Sequence, residues 1–257
     1  MMLQTLHYRK TDHVIIIDII DRLGDPSKLI QLSDELTELC SEIAWDEEIR
    51  VVLITDAEGK SFSMNVDFMD SVLRNHENQE IDLWSLAESI AGLDKPVIVA
   101  INGDAIGQGL ELALACDLRI ASETSHFGLP HIKAGWMPLD GGTQRLSRLV
   151  GRGKALEMIL TGERIDAKEA YRIGMVNKVV PSGELMGIVM DIAKEMASKG
   201  PIALRYAKEA ISKGMDMTLE QGLHLEADLY LLLHTTKDRT EGIQAFRGKK
   251  TPQFEGK

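Results

Sequence analysis

The sequence predicts an α/β fold with a helical C-terminal region. Over the first 120 residues, short β-branched runs bounded by turn residues alternate with apolar residues at helical spacing. From Glu184 onward the apolar pattern is almost wholly helical. Because alternating strands and helices are typical of a sheet covered by helices, we expect the strands to pair largely in parallel.

The predicted strands are short runs that are almost entirely apolar, which is typical of strands buried on both faces. They cover residues 13–20, 51–55, 97–101, 118–121 and 176–180. The predicted helices cover residues 32–44, 83–93, 110–115, 153–161, 166–173, 184–198, 201–213 and 218–235. We therefore expect an α/β core in residues 1–197 and a helical region in residues 198–257.

The chain is acidic, with 40 acidic and 29 basic residues among 257 and a net charge of -11. This charge argues against nucleic acid or an anionic membrane as a partner. No apolar run approaches the roughly 20 residues of a membrane helix, and the N-terminus lacks a secretory pattern, so we expect a cytoplasmic protein. Cys40 and Cys116 stand in no CxxC or Cys/His spacing, which predicts neither a zinc site nor a disulfide.

Two turns that lead from a predicted strand towards a helix are candidate binding sites. Residues 59–68 follow the second strand, and residues 101–111 (INGDAIGQGLE) follow the third. Such turns leave backbone N–H groups unpaired, so they bind an anion or a polarised carbonyl, or they are ordinary connections. Glu111 lies in an otherwise apolar helix, where a carboxylate is functional, paired, or a complement to the helix N-terminus.

A third candidate segment, residues 127–146, combines an imidazole and a carboxylate with many turn-forming residues. His131 and Asp140 are the two titratable side chains of interest. A single histidine in a loop also suits a structural role, and Asp140 also suits the N-cap of a helix that begins near Gly141.

Together, these segments resemble the crotonase (enoyl-CoA hydratase/isomerase) superfamily. The resemblance covers the chain from Val14 to about Phe254 and includes KPVIVAINGDAIGQGLELALACDLRIAS (residues 95–122). It implies a crotonase-like spiral of ββα units with a helical C-terminal trimerisation region, and thus a homotrimer or homohexamer. The implied substrate is an acyl-CoA thioester, so coenzyme A would enter as part of the substrate and no separate cofactor or metal is expected.

The resemblance also implies that two backbone N–H groups form an oxyanion hole around the thioester carbonyl. One donor falls at Val66, and the other falls at Gln108. Gln108 replaces a glycine of the family pattern, which indicates either an altered turn or a side chain that reaches towards the acyl group. Preorganised donors of this kind stabilise an enolate by about 3–4 kcal/mol each.

Hydratases of this family place two glutamates across the substrate double bond, and only one is retained here, as Glu111. His131 occupies the position of the other glutamate, where its near-neutral pKa suits proton transfer. The string PLDGG around Asp140 resembles the SFDGG of naphthoate synthases, which makes Asp140 a further candidate acid or base.

Coenzyme A is expected to contact six positions that match the family pattern. Backbone groups near the first turn and in the first candidate segment would hold the adenine, and a C-terminal lysine would meet the phosphates. These positions are Lys28, Leu29, Met64, Asp67, Phe68 and Lys249. The family's Asn-Ala pair is missing near Lys28, and Lys249 also suits a solvated surface charge.

The sequence therefore predicts an enzyme that stabilises a thioester enolate, foremost an enoyl-CoA hydratase. An isomerase, a decarboxylase or a ring-opening hydrolase that uses Glu111, His131 and Asp140 is the second hypothesis. A non-catalytic CoA-binding subunit is the third.

Overall fold

The computed structural model describes residues 3–20, 26–56 and 85–257. Within them, one sheet of six strands forms the centre of the molecule, in the order β1-β2-β3-β4-β6-β9. Its strands are β1 (Leu6–Thr11), β2 (Val14–Ile19), β3 (Val51–Asp56), β4 (Val97–Ile101), β6 (Leu118–Ser122) and β9 (Lys178–Val180). All neighbours from β2 to β9 pair in parallel, as the sequence predicts, and β1 pairs antiparallel with β2.

A second, smaller sheet joins β5 (Ala105–Ile106), β7 (His126–Gly128) and β8 (Ile165–Asp166). Strand β5 pairs in parallel with β7, which pairs antiparallel with β8. These three strands are two or three residues long, too short to show a period in the sequence. The edge strand β1 was also missed, because all of its residues after Leu6 are exposed and mostly polar.

The described helices surround the main sheet and extend beyond it. They are α1 (Pro26–Trp45), α2 (Ser85–Ala91), α3 (Gln108–Ala115), α4 (Gly142–Val150), α5 (Arg152–Thr161), α6 (Ala167–Arg172), α7 (Leu185–Ala197), α8 (Pro201–Gly214), α9 (Leu219–Leu233) and α10 (Lys237–Gly248). Helix α1 begins six residues before the predicted start, because Leu29 continues the apolar spacing of Leu32 and Leu36.

The two faces of the main sheet bury separate apolar clusters. Along β2, Ile15 and Ile17 face the larger cluster, to which α1, α2 and α3 contribute. Val14 and Ile16 face a smaller cluster, which α7 covers. Successive side chains of a strand point to opposite faces, so a strand packed on both sides is apolar throughout.

The C-terminal helices α8 to α10 expose most of their surface. Lys208 ties α8 to the core through an ion pair with Asp117 (2.8 Å) and a hydrogen bond to the Lys95 carbonyl (2.9 Å). The same helices carry large exposed apolar side chains, among them Ile211, Met215, Leu219, Leu231 and Phe246. The division into residues 1–197 and 198–257 stays a prediction.

In the part of the chain that the structure describes, no helix combines the length and the apolar character that crossing a membrane requires.

Candidate active site

The small sheet brings Glu111 and His131 together. Strand β5 runs directly into α3, which carries Glu111, and β7 runs into a 3-10 helix (Pro130–Ala134) that carries His131. Because β5 and β7 are parallel and in register, both helical segments begin at the same edge. A hydrogen bond from Gly107 N–H to the Gly128 carbonyl (2.9 Å) closes the pairing.

Two backbone amides hold the Glu111 carboxyl group. Its Oε1 accepts hydrogen bonds from the N–H groups of Asp140 and Gly142, both at 2.8 Å. Since Gly142 is the first residue of α4, Glu111 complements the N-terminus of a neighbouring helix rather than that of its own. Its Oε2 lies 3.7 Å from His131 Nε2. One carboxyl oxygen is thus fixed by the protein while the other faces the imidazole.

Burial sets the protonation of both residues. Glu111 is only 1% exposed, and this burial raises its pKa to about 7, although the two amides and the charge of Arg145 oppose the rise. Burial lowers the pKa of His131, and the backbone of Leu129 partly opposes that change. No group of the described residues meets His131 Nδ1 at ordinary hydrogen-bond geometry. Both shifts favour the neutral form of each group.

Asp140 caps a helix, but not the one that the sequence suggests. Its Oδ2 accepts a hydrogen bond from Ala87 N–H (2.9 Å), in the first turn of α2, whereas Gly141 is the N-cap of α4. Asp140 is 3% exposed, and burial raises its pKa to about 8 against the effect of the Ala87 amide. The carboxyl group is therefore largely protonated at neutral pH.

A cleft of about 320 Å³ opens beside Asp140, between α2 and the start of α4. Met137, Pro138 and Leu139 give it an apolar wall, and Glu88 and Arg145 add charges. Arg145 Nη1 donates to the Asp140 carbonyl (2.8 Å). The Arg145 side chain passes close to residue 141, where a Cβ would lie 2.1 Å from Arg145 Nη1. Residue 141 is glycine, whose φ of +90° is a conformation that other residues rarely adopt.

Glycine takes the strained position in the turn before α3, not Gln108. Gly107 has φ 65° and ψ -132°, and Gln108 is the first helical residue. Leu110 N–H and Glu111 N–H both donate to the Gly107 carbonyl, whereas helical geometry leaves the earlier N–H of Gln108 without an intrahelical acceptor. The turn is therefore not distorted by the replacement of glycine at residue 108.

The remaining predicted site residues are either outside the described residues or distant from this cluster. Val66, Met64, Asp67 and Phe68 lie outside the described residues. Lys28 and Leu29 lie inside α1, where the Leu29 side chain is buried in the core, so only its backbone is available to a ligand. Lys249 ends α10 in a left-handed conformation (φ 49°) and is exposed. Their role in coenzyme A binding stays a prediction.

The sequence did not indicate Gly142 and Ala87 as site residues, because both act through backbone N–H groups. Such groups leave no side-chain signal. The paired glycines at residues 141 and 142 were the only hint, and they are equally typical of an ordinary turn.

We expect Gly142→Ala to lower the free energy of unfolding by about 1–3 kcal/mol, the usual cost of overpacking. The added Cβ would lie 2.8 Å from Glu111 Oε1 and 2.9 Å from Pro138 Cβ, so the carboxyl group must move. Urea denaturation would measure the change. Gly153→Ala is the matched control, since nothing lies within 4 Å of its added Cβ, and it should be neutral or stabilising. Equal stability of Gly142→Ala and wild type would contradict this packing.

Characterised relatives share this sequence over most of its length. A 2,3-dehydroadipyl-CoA hydratase of Escherichia coli (strain K12) is 39% identical over 233 residues, which cover 89% of this chain and 88% of that protein. A short-chain-enoyl-CoA hydratase of Clostridium acetobutylicum is 39% identical over 224 residues, covering 85% and 86%.

A solved structure shares the fold. The enoyl-CoA hydratase from Bacillus anthracis is 38% identical, covers 99% of this chain and 100% of its own, and superposes with a TM-score of 0.87. This likeness confirms the predicted crotonase-like α/β fold. The family model described as enoyl-CoA hydratase/isomerase matches residues 14–257. The chain therefore belongs to the enoyl-CoA hydratase/isomerase family of enzymes.

Proposed function

We propose that this protein is an enoyl-CoA hydratase, which adds water across the 2,3 double bond of an enoyl thioester. The observation that carries the proposal is the buried pair of Glu111 Oε2 and His131 Nε2 at 3.7 Å, beside the open N-terminus of α3. Hydration needs one group to take a proton from water and one to deliver a proton to carbon. This pair provides both.

Backbone N–H groups stabilise the enolate in this proposal. The N–H of Gln108, the first of α3, donates to the thioester oxygen, where negative charge develops as water attacks C3. The positive end of the α3 dipole favours the same charge. Val66 is the predicted second donor, and it lies outside the described residues.

The two pKa shifts assign the roles within the pair. Because burial raises the pKa of Glu111 to about 7 and lowers that of His131, a single shared proton resides on Glu111 rather than on the imidazole. Neutral His131 then takes a proton from water as the hydroxide adds to C3. Glu111 delivers its proton to C2, and the proton on His131 returns to Glu111 after the product leaves. Every proton is accounted for, so we propose no cofactor beyond the coenzyme A of the substrate.

A second candidate function rests on Asp140. Its protonated carboxyl group borders the cleft, and its own N–H holds Glu111, so it is placed beside the same chemistry. A double-bond shift, a decarboxylation and a ring-opening hydrolysis each include the delivery of a proton, which a protonated carboxyl group can supply. The bond to Ala87 gives Asp140 a structural role as well, which is why hydration by Glu111 and His131 leads.

Self-association completes the proposal. Large apolar side chains are exposed on each of α8, α9 and α10, among them Ile211, Leu231 and Phe246, and contiguous surfaces of this kind mark protein–protein contacts. We propose a homotrimer or homohexamer formed through these helices. The cytoplasm stays a prediction from the sequence.

The direct test is turnover of crotonyl-CoA, followed as loss of the enoyl absorbance. We expect Glu111→Gln to lower kcat by a factor of about 10² to 10⁴, because glutamine still accepts the Asp140 and Gly142 hydrogen bonds but carries no transferable proton. Glu38→Gln, an exposed position on α1, is the control and should leave turnover unchanged. Full activity of Glu111→Gln would refute the assignment.

Asp140→Asn separates the two candidate functions in the same assay. The asparagine carbonyl still accepts the Ala87 N–H but cannot supply a proton. Retained hydration would identify Asp140 as the cap of α2. If the wild type binds CoA esters without hydrating crotonyl-CoA, and its reaction with another enoyl thioester fails in Asp140→Asn, the second function is correct.

We expect kcat/KM for hydration to follow a bell-shaped pH profile. The active form has one proton on the pair. Since the pKa of His131 is lowered, the acid limb should lie below pH 6.5, where the imidazole becomes protonated. Because the pKa of Glu111 is raised to about 7, the alkaline limb should lie near pH 7, where the proton is lost. A rate that continues to rise from pH 7 to pH 8 would instead make ionised Glu111 the base.

Charged substitutions on α8 and α9 should disrupt the assembly. We expect Ile211→Lys combined with Leu231→Lys to reduce the mass in solution to that of a monomer, measured by light scattering after size exclusion, because each lysine would be desolvated in an apolar contact. Glu38→Lys, exposed on α1, is the charge-matched control and should keep the wild-type mass. A wild-type monomer would contradict the proposal.

A further inference from the structure

The Gln108 side chain is buried, and its carboxamide oxygen has no hydrogen-bond partner among the described residues. The residue is only 6% exposed, and no donor of the described residues reaches its Oε1. An unpaired buried amide is costly, so native proteins rarely keep one without a use. The turn does not need this side chain, because Gly107 takes the left-handed conformation.

Helix geometry places Gln108 next to Glu111. The two residues are three positions apart on α3, so they share a face, with Cβ atoms roughly 5–6 Å apart. The backbone N–H of Gln108 is also the proposed donor to the thioester oxygen. A side chain that starts there and extends over two methylene groups reaches the carbons next to the reacting double bond.

The chemistry of the site restricts which group would pair with this carboxamide. An acceptor oxygen needs a donor, and a carboxylate has none, so a carboxylate is excluded as the partner of Oε1. A cation would lose its hydration in so buried a site. A neutral hydroxyl group meets both conditions, because it donates to the carbonyl end of the carboxamide or accepts from its amino end.

We propose that Gln108 is a specificity-determining residue that selects acyl-CoA substrates with a hydroxyl group on C4, the carbon next to the reacting double bond on the side away from the thioester. This inference rests on the proposed function for the position of the thioester. It goes beyond that function by naming the class of acyl group.

The test compares the binding of three saturated thioesters, none of which can be hydrated: butyryl-CoA, 2-hydroxybutyryl-CoA and 4-hydroxybutyryl-CoA. By isothermal titration calorimetry, we expect wild-type protein to bind 4-hydroxybutyryl-CoA about tenfold more tightly than butyryl-CoA. In Gln108→Met, which keeps the length and removes the amide, the ratio of the two dissociation constants should fall to about one. 2-Hydroxybutyryl-CoA is the positional control and should bind about as tightly as butyryl-CoA.

Thermal unfolding of the unliganded protein gives an independent readout. We expect Gln108→Met to raise Tm by about 2–4 °C, because methionine relieves the unsatisfied amide. Gln4→Met, at an exposed side chain, makes the same chemical change and should leave Tm unaltered.

Two results would overturn the inference. A lower Tm in Gln108→Met would mean that a protein group already satisfies the carboxamide. Equal wild-type affinity for all three esters would mean that Gln108 reads no hydroxyl group. Because these measurements involve no turnover, they remain decisive even if crotonyl-CoA is not hydrated, and a failure of the hydratase proposal is recognised separately.

Discussion

The two hydrogen bonds from backbone amides to the Glu111 carboxyl group are the constraint on which the rest of the site depends. They fix one oxygen at the N-terminus of α4 and direct the other at His131. Burial of a carboxyl group this deep in the protein favours its protonated, neutral form and therefore raises its pKa. The amides stabilise the anion enough for the pKa to stop at about 7, where the proton can both leave and return.

The sequence contained most of the fold but only part of the site. The five buried strands were predictable because strands packed on both faces are apolar throughout, and the spacing of Leu32 and Leu36 made α1 visible from residue 32 onward. Strand β1 was not predictable, because an exposed edge strand has no continuous apolar run. Glu111 and His131 were identified from residue type and family resemblance. Their 3.7 Å approach depends on the two-residue pairing of β5 with β7, which no local pattern reveals.

The helix-cap alternative for Asp140 proved right in kind and wrong in partner. Sequence reasoning assigns a cap to the nearest helix, because only local distances are known. In the structure each carboxyl group reaches a helix that is distant along the chain: Glu111 meets α4, and Asp140 meets α2. The capping role and a role in proton transfer are therefore compatible, since each carboxyl group gives only part of its hydrogen-bonding capacity to the cap.

The Asp140–Ala87 hydrogen bond has a consequence for how this chain can vary. Residues 57–84 connect β3 to α2, and Asp140 holds the first turn of α2 against the segment that carries Glu111. The two ends of that connection, at the end of β3 and at the first turn of α2, are therefore held in place by the rest of the fold. We therefore expect a change of sequence or length between these two ends to leave the contact of Glu111 with His131 in place. The geometry of the acid and base thus depends on the two ends of this connection rather than on its length.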